Sequence, residues 1–376
     1  MSQAASLSEQ PKLKKSVAIG LWAVFITYFV ANFFMNALNI ARPRMAEDLN
    51  GMSLFSWSIS LPGLASAVAT LVFGKLSDMY GRRPILLVSL VLFAIGSVVT
   101  AISPTFLLAI VGLTIIGFGQ AALAPLCFSV LGDLFAPAAR ARWSGLLAIP
   151  AGISALLAPT LAGLITDTMN WNGLFWVMVP LVLISGLMVA SGVPTLDGRT
   201  THKIDFLGTI VLIVAAATMI FAFSWAGGTY PWASPQIIGL LAFSIIAWIA
   251  FLRIEAKAAE PMLDPQVLGN RTFLTAALAG FMSFFGLLGV MAYYPLFVQN
   301  VQGYNATISG QALTPFSVLM AFMGVPAGLL LAKTKKYKWM FVAGYALLTV
   351  MLFVMWRFNK ATPLRMSILV TALAGL

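Results

Sequence analysis

Side chains able to do chemistry are sparse in this chain: eleven acids, the single histidine His202 and the single cysteine Cys127 among 376 residues. One histidine and one cysteine cannot assemble a metal site or a disulfide, so neither is expected. One group of polar residues combines both signs of charge with glycine: Gly74-Lys75-Leu76-Ser77-Asp78-Met79-Tyr80-Gly81-Arg82-Arg83, a hinge with one carboxylate, three cations and two glycines. Its chemistry is ion pairing rather than catalysis. The guanidinium fork of Arg82 matches a carboxylate, and Asp78 can accept from the free N–H groups at a helix start. Gly74 and Gly81 permit a tight turn or a close helix approach. Asp133, placed at the same membrane face, is the expected partner of Arg82. A loop that only sets topology would need the cations, but neither the glycines nor Asp78.

A second set is polar but uncharged. Asn32, Asn36 and Asn39 recur at spacings of four and three, which puts them on one face of a helix. Such a stripe serves either substrate contact or helix packing; Asn36 lies at its centre. Gln120 and Gln299 present the same choice. Phe34, Met35, Tyr293 and Tyr294 suit an adaptable apolar cavity, and equally a core. The acids Glu9, Glu47, Asp48, Asp78, Asp133, Asp167, Asp197, Asp205, Glu255, Glu260 and Asp264 all fall in links or at the ends of apolar runs. No nucleotide-binding glycine loop followed by Lys-Ser or Lys-Thr occurs, and no nucleophile constellation. Neither an enzyme nor a cofactor is therefore expected.

The elements that must hold these groups are membrane-spanning helices. The chain is 60% hydrophobic and 9% charged, with a mean hydropathy of +0.96. A soluble domain could not cover so much apolar surface, which leaves an all-α polytopic membrane protein embedded in a lipid bilayer. The formal charge of +11 is divided into short clusters between apolar runs, so it reads as topology and not as nucleic-acid binding. Windows of roughly 20 apolar residues predict spans near 17–41, 53–73, 85–103, 106–132, 143–165, 173–193, 206–226, 236–252, 272–299, 307–332 and 339–356. A twelfth begins near 366 and stops at Leu376, so the chain reads as C-terminally truncated. The first run lacks a small-residue cleavage site and is a retained span rather than a signal peptide.

Lys and Arg near span ends set orientation. Seventeen of the 22 fall on the face of the N-terminus and the hinge: Lys12, Lys14, Lys15, Lys75, Arg82, Arg83, Arg140, Arg142, Arg199, Lys203, Arg253, Lys257, Arg271, Lys333, Lys335, Lys336 and Lys338. The opposite face holds Arg42, Arg44, Arg357, Lys360 and Arg365. This asymmetry predicts a cytoplasmic N-terminus in the plasma membrane. A degenerate echo of the hinge, Gly328-Leu329-Leu330-Leu331-Ala332-Lys333-Thr334-Lys335-Lys336, carries Ala332 where the hinge has Asp78 and points to duplicated bundles. The predicted divisions are a tail (1–16), a six-span bundle (17–193), a linker with two inserted spans (194–252), a cytoplasmic linker (253–271) and an incomplete second bundle (272–376).

At this point the chain resembles the major facilitator superfamily, and within it the fourteen-span drug:proton antiporter group. The hinge is similar to that superfamily's loop motif between spans two and three. Asn170-Trp171, Leu174-Phe175-Trp176 and Val179-Pro180 resemble the lead-in to span six. Asp205-Phe206-Leu207-Gly208, Pro261-Met262-Leu263 and Asn270-Arg271-Thr272-Phe273 resemble the starts of spans seven and nine, and Tyr294-Pro295-Leu296 with Gln299 resembles the link to span ten. In span five, Pro150, Gly152, Pro159 and Gly163 resemble the antiporter signature, with Ala158 and Ala162 at positions where the group has glycine. The group's span-one acid falls on Phe34 and its span-four arginine on Leu113.

The resemblance implies two pseudo-repeated six-helix bundles that alternate access around a central cavity, with two inserted spans packed outside. It implies that the hinge is a gate and that span five packs against the other bundle. It also implies a secondary active transporter exporting hydrophobic or cationic small molecules (multidrug efflux), with protons as the coupling ion. The alternatives are a facilitator for a neutral solute or lipid, and a truncated membrane fragment that does not transport.

Overall fold

The structure, a computed structural model, describes residues 15–135, 137–194, 206–257, 269–323, 326–327, 330, 333–334 and 337–376. The N-terminal tail, most of the 194–203 and 253–271 linkers and most of the Gly328–Lys336 echo lie outside the described residues. What is described is helical: α1 (Lys15–Asp48), α2 (Trp57–Tyr80), α3 (Arg82–Ala101), α4 (Phe106–Leu134), α5 (Pro137–Leu146), α6 (Ala148–Gly192), α7 (Phe206–Trp225), α8 (Pro235–Glu255), α9 (Arg271–Leu296), α10 (Ala306–Phe322), α11 (Tyr337–Trp356) and α12 (Leu364–Ala374). Among the described residues, nine helices are long and apolar enough to cross a membrane.

The predicted fifth and sixth spans are the two arms of α6, which meet at Asn170, whose φ of 62 and ψ of 173 are not helical. Two differences from the sequence expectation have local causes. The predicted start of the fifth span near 143 is instead α5. Pro150 has no N–H to return to the Leu146 carbonyl, so the chain steps between Leu146 and Ala148 before resuming. The first helix also runs past residue 41 despite Pro43, because Arg44 pairs with Glu47 at 3.3 Å and with Asp48 at 3.3 Å along the final turn.

The contacts of α6 give its course. Gly152, Pro159 and Gly163 lie successively against Phe322, Gly310 and Ala306, so the first half runs antiparallel to α10. Beyond Asn170, Phe175 meets Phe34, Ser185 shares a 2.7 Å hydrogen bond with Thr27, and Gly192 abuts Gly20. The second half therefore runs antiparallel to α1. Asn170 is thus the tip of a hairpin and α6 crosses twice. The end of the helices bearing Gly74–Arg83 is called the hinge end below, and the Asn170 side the far end.

Between helices in lipid there is little hydrophobic drive, so close approach depends on small residues. A Cβ on Gly20 would stand 2.5 Å from the Gly192 carbonyl oxygen, and one on Gly96 would stand 2.7 Å from the Gly112 carbonyl. These contacts weld α1 to α6 and α3 to α4. Phe34, buried between Phe93 (ring centroids 4.9 Å) and Phe175 (6.0 Å), fills the middle of this first bundle. Phe34 is core, therefore, and not cavity lining.

Helices α7 and α8 form a hairpin held by the Ser244 hydroxyl, which donates to the Ala215 carbonyl at 2.9 Å. The pair leans on α2 through Trp57, 5.0 Å from Phe221 and 6.4 Å from Trp225. In the second bundle, Tyr294 of α9 shares a 3.1 Å hydrogen bond with Ser367 of α12, and Ser283 shares one of 2.6 Å with Tyr345 of α11. Gly375 closes the end of α12 onto the Phe316 carbonyl of α10.

Gly192→Ala is expected to lower unfolding stability by about 1–3 kcal/mol, because backbone stands where the methyl must go. Gly186→Ala, where a Cβ meets nothing within 4 Å, is the control and should be neutral. Thermal denaturation of the detergent-solubilised protein measures both; equal effects would refute the Gly20–Gly192 contact.

Candidate functional site

The hinge turns on Gly81, whose φ of 91 and ψ of 162 belong to a region essentially reserved for glycine. That turn lets α3 begin at Arg82 directly after α2 ends. Arg82 then reaches three ways: Nη1 pairs with Asp78 and donates to the Ser77 hydroxyl at 2.6 Å, while Nε lies 3.5 Å from Asp133 Oδ2. Arg83 donates to the Ala190 carbonyl at the end of α6. The two arginines thus tie the hinge ends of α2, α3, α4 and α6 into one cluster. Gly74 differs from its expected role, since a Cβ there would meet nothing within 4 Å. Its carbonyl instead accepts from the Ser77 hydroxyl at 2.6 Å.

The predicted span-five residues meet the second bundle. A Cβ on Gly310 would fall 2.0 Å from the Pro159 carbonyl oxygen, and one on Gly163 would fall 2.4 Å from that of Ala306. One on Gly152 would strike the Phe322 ring at 2.5 Å. Thr160 and Thr314 share a 3.1 Å hydrogen bond midway along this seam. Pro159 leaves the Ala155 carbonyl without its helical donor, a cause of bending in the helix that the seam follows.

At the far end the seam is locked by a residue that sequence reading placed only at a span end. Asp167 accepts from the backbone N–H of Ala306 at 3.1 Å and of Thr307 at 2.8 Å, and from the Thr307 hydroxyl. A carboxylate of one bundle thereby caps the helix start of the other. Asn305 supplies the ordinary local cap, its Oδ1 accepting from the N–H of Ile308 at 2.9 Å. The pairing was foreshadowed only by the capping residue types at 305–307.

Other cross-bundle bonds gather at the same end. After Pro295 the chain winds into a π-turn (Phe297–Val301), which aims the Gln299 amide at the Ile40 carbonyl (3.0 Å) and the Ser309 hydroxyl (3.2 Å). Ser56 and Tyr293 hydroxyls stand 3.4 Å apart. Gln299 is therefore engaged as a seal, and Gln120 as a helix tie, donating to the Ala31 carbonyl at 2.8 Å.

The asparagine stripe shares one face as its spacing predicts, but its amides turn back on α1. Asn32 donates to Tyr28 at 2.8 Å, Asn36 to Asn32 at 2.9 Å and Asn39 to Met35 at 3.0 Å. Asn36 alone keeps a buried acceptor, Oδ1, without a donor. A cavity of about 290 Å³ lies in the second bundle, walled by Tyr293, Tyr294, Phe297, Leu352, Met355 and Trp356. The two tyrosines do line it. Trp171 is buried against Phe175.

Two helical bundles joined along a small-residue seam, with a helical hairpin set outside, define a polytopic membrane protein of the transporter class. The family model for the Major Facilitator Superfamily matches residues 24–376, and the chain belongs to that superfamily. It is 31% identical over 323 residues to an uncharacterized MFS-type transporter of Mycobacterium tuberculosis, covering 86% of this chain and 47% of the relative. It is 30% identical to the multidrug transporter protein MdtP of Bacillus subtilis, covering 82% of this chain and 58% of that one. Multidrug resistance protein 3 of Bacillus subtilis is 34% identical across 74% of this chain and 54% of its own length. The chain thus spans about half the length of the curated relatives it matches. Among solved structures, a peptide transporter POT in complex with sulfate superposes with a TM-score of 0.67 at 15% identity, over 95% of this chain and 79% of that one.

Asp167→Ala removes every acceptor at the start of α10 that comes from the first bundle's carboxylate. It is expected to cost about 1–3 kcal/mol and to accelerate hydrogen exchange at Ala306 and Thr307, while Asp167→Asn retains part of the protection. Unchanged exchange in Asp167→Ala would dispose of the cross-bundle cap.

Proposed function

We propose that the chain is the alternating-access body of a secondary active exporter of the fourteen-span drug:proton antiporter type, acting on hydrophobic or cationic small molecules. The observation that carries this reading is the seam, where Gly152, Pro159 and Gly163 of one bundle meet Phe322, Gly310 and Ala306 of the other. A backbone-to-backbone contact of this kind lets two bundles rock without unpacking large side chains. The relatives named as multidrug proteins support the choice of cargo.

In this reading the protein sits in the plasma membrane with its N-terminus and hinge end cytoplasmic. Asp167, Gln299 and Tyr293 then close the outer side, and cargo enters from the hinge side. As the bundles rock, the Arg82 cluster holds α2, α3 and α4 as one body, so that the hinge ends move together. Protons are the coupling ion in this reading, and Asp78 serves the gate. A second reading, facilitated movement of a neutral solute or lipid, is favoured by a specific observation. Among the described residues, every acid stands at a helix end and none in the middle of the membrane.

Asp78→Asn should abolish efflux of a fluorescent lipophilic cation from cells while leaving the amount of membrane-inserted protein unchanged. Normal efflux by that variant would sink the gate. Asn36→Ala should weaken cargo binding by about tenfold or less, as for one neutral hydrogen bond. In proteoliposomes, cargo-driven proton movement separates the antiporter from the facilitator, which would move cargo with no change in internal pH.

A further inference from the structure

The cavity of about 290 Å³ between α9 and α11 belongs neither to the gate nor to the seam. Five aromatic rings wall it: Tyr293 and Tyr294 of α9, Phe297 at the start of the π-turn, Trp356 at the end of α11, and Phe358 just beyond. Phe297 and Phe358 stand 5.9 Å apart between ring centres. Gly289 completes the wall, and a Cβ there would meet nothing within 4 Å, so the space begins at the backbone of α9 itself. A cavity of about 150 Å³ with apolar walls stays dry and holds one benzene ring. At about 290 Å³, this one has room for two or three rings.

The walls also select the charge of a guest. Among the described residues no charged side chain lines the cavity, and its polar groups are the two tyrosine hydroxyls. That of Tyr294 is engaged with Ser367 at 3.1 Å, whereas that of Tyr293 stands 3.4 Å from the Ser56 hydroxyl, too far for a strong bond. One neutral polar group can therefore be met at Tyr293, but a buried charge would find no counter-ion to offset its desolvation. A cation has a further obstacle. Trp is the ring that attracts cations best, and Trp356 already carries the Arg357 guanidinium 5.2 Å from its ring centre. Arg357 is itself exposed, so water and salt screen what it offers an anion.

Two of the walls are also parts of the far-end closure. Tyr293 meets Ser56 and packs 5.9 Å from the Phe55 ring across the bundles. Phe297 belongs to the same π-turn as Gln299, which holds the Ile40 carbonyl at 3.0 Å. A guest would lie against residues that join the bundles, not in an outlying gap between helices.

We propose that this cavity is a cargo subsite for uncharged aromatic molecules of two or three rings. The proposal rests on the exporter reading for its physiological meaning, and it narrows the cargo from hydrophobic or cationic to uncharged and aromatic. The guest's rings lie against Trp356 and the Phe297–Phe358 pair, and its one polar group meets the Tyr293 hydroxyl.

Isothermal titration of the detergent-solubilised protein with 2-naphthalenemethanol, 2-naphthoate and 2-(aminomethyl)naphthalene tests the site, since the three share a ring system and differ in charge. The unmodified protein should bind the alcohol at least about tenfold more tightly than either ion. Gly289→Leu, which fills the space from the backbone side, should weaken the alcohol at least about tenfold with thermal unfolding unchanged. Trp356→Leu repeats the test from the opposite wall at a side chain 72% exposed, and should weaken it by about threefold or more. Binding of either ion as tightly as the alcohol, or an alcohol affinity unchanged in both variants, would overturn the proposal. Displacement of the alcohol by an equal concentration of 1-decanol would do so too, by reassigning the cavity to an acyl chain. In cells, efflux of N-phenyl-1-naphthylamine, an uncharged fluorescent probe with three rings, should be slowed by about threefold or more in Gly289→Leu at equal protein in the membrane. Efflux of a lipophilic cation without efflux of this probe would overturn the proposal and leave the exporter reading standing. Efflux of neither, with the titration as expected, would instead remove the exporter reading and the cargo role together, leaving a binding site without transport.

Discussion

Everything in this molecule depends on two backbones touching. The carbonyl of Pro159 and the α-carbon of Gly310 are so close that no side chain fits between them. In lipid, where apolar surface gains little by leaving its solvent, such contact substitutes for a hydrophobic core between bundles. The same device recurs inside the first bundle, at Gly20 with Gly192 and at Gly96 with Gly112. Like the α1–α6 contact with its Thr27–Ser185 bond, the seam has a polar supplement. Thr160 with Thr314, and Asp167 with the start of α10, are bonds that water can replace when the bundles part.

The charged groups follow a consistent economy of position. Arg82 and Arg83 gather helix ends on one side of the protein, and Asp167 does so on the other. Partly exposed pairs like Arg82–Asp133 are individually weak, so their contribution lies in registering helix ends relative to one another. The middle of the membrane is left to asparagine, glutamine and hydroxyl groups, most of which satisfy themselves on nearby carbonyls. Among the described residues Arg42 and Asn36 each keep a buried polar atom without a partner, as do Ser89, Thr166, Gln302, Ser317 and Thr371.

The hinge and the seam were legible in the sequence because glycine and proline report backbone geometry directly. Gly81 had to be a turn, and Gly152, Pro159 and Gly163 had to face something close. Gly74 was misread for the same reason, since a glycine advertises the possibility of close approach without guaranteeing a neighbour. The asparagine spacing gave the right face of α1, but spacing does not say whether an amide points out or back to its own helix. Asp167 and Arg42 were illegible in a deeper way. The partners of Asp167 lie about 140 positions further along the chain, and Arg42 is buried although it falls near the end of its helix. No local pattern encodes either. Their residue types had been noted, but only as loop charges.

Asn170 has a mechanical meaning that its dihedral angles alone do not convey. The arm of α6 before it is clasped to α10, and the arm after it to α1, so one residue links the helix that forms the seam to the helix that fills the first bundle. A slide of a fraction of an ångström along the seam reaches Asn170 undiluted, because a helix is stiff along its axis. There it must become either rotation of one residue or movement of α1, the helix that carries the asparagine stripe and Arg42. A left-handed, extended residue has little room to rotate. The leverage therefore passes on to α1, so that motion along the seam is felt by the asparagine stripe in the first bundle.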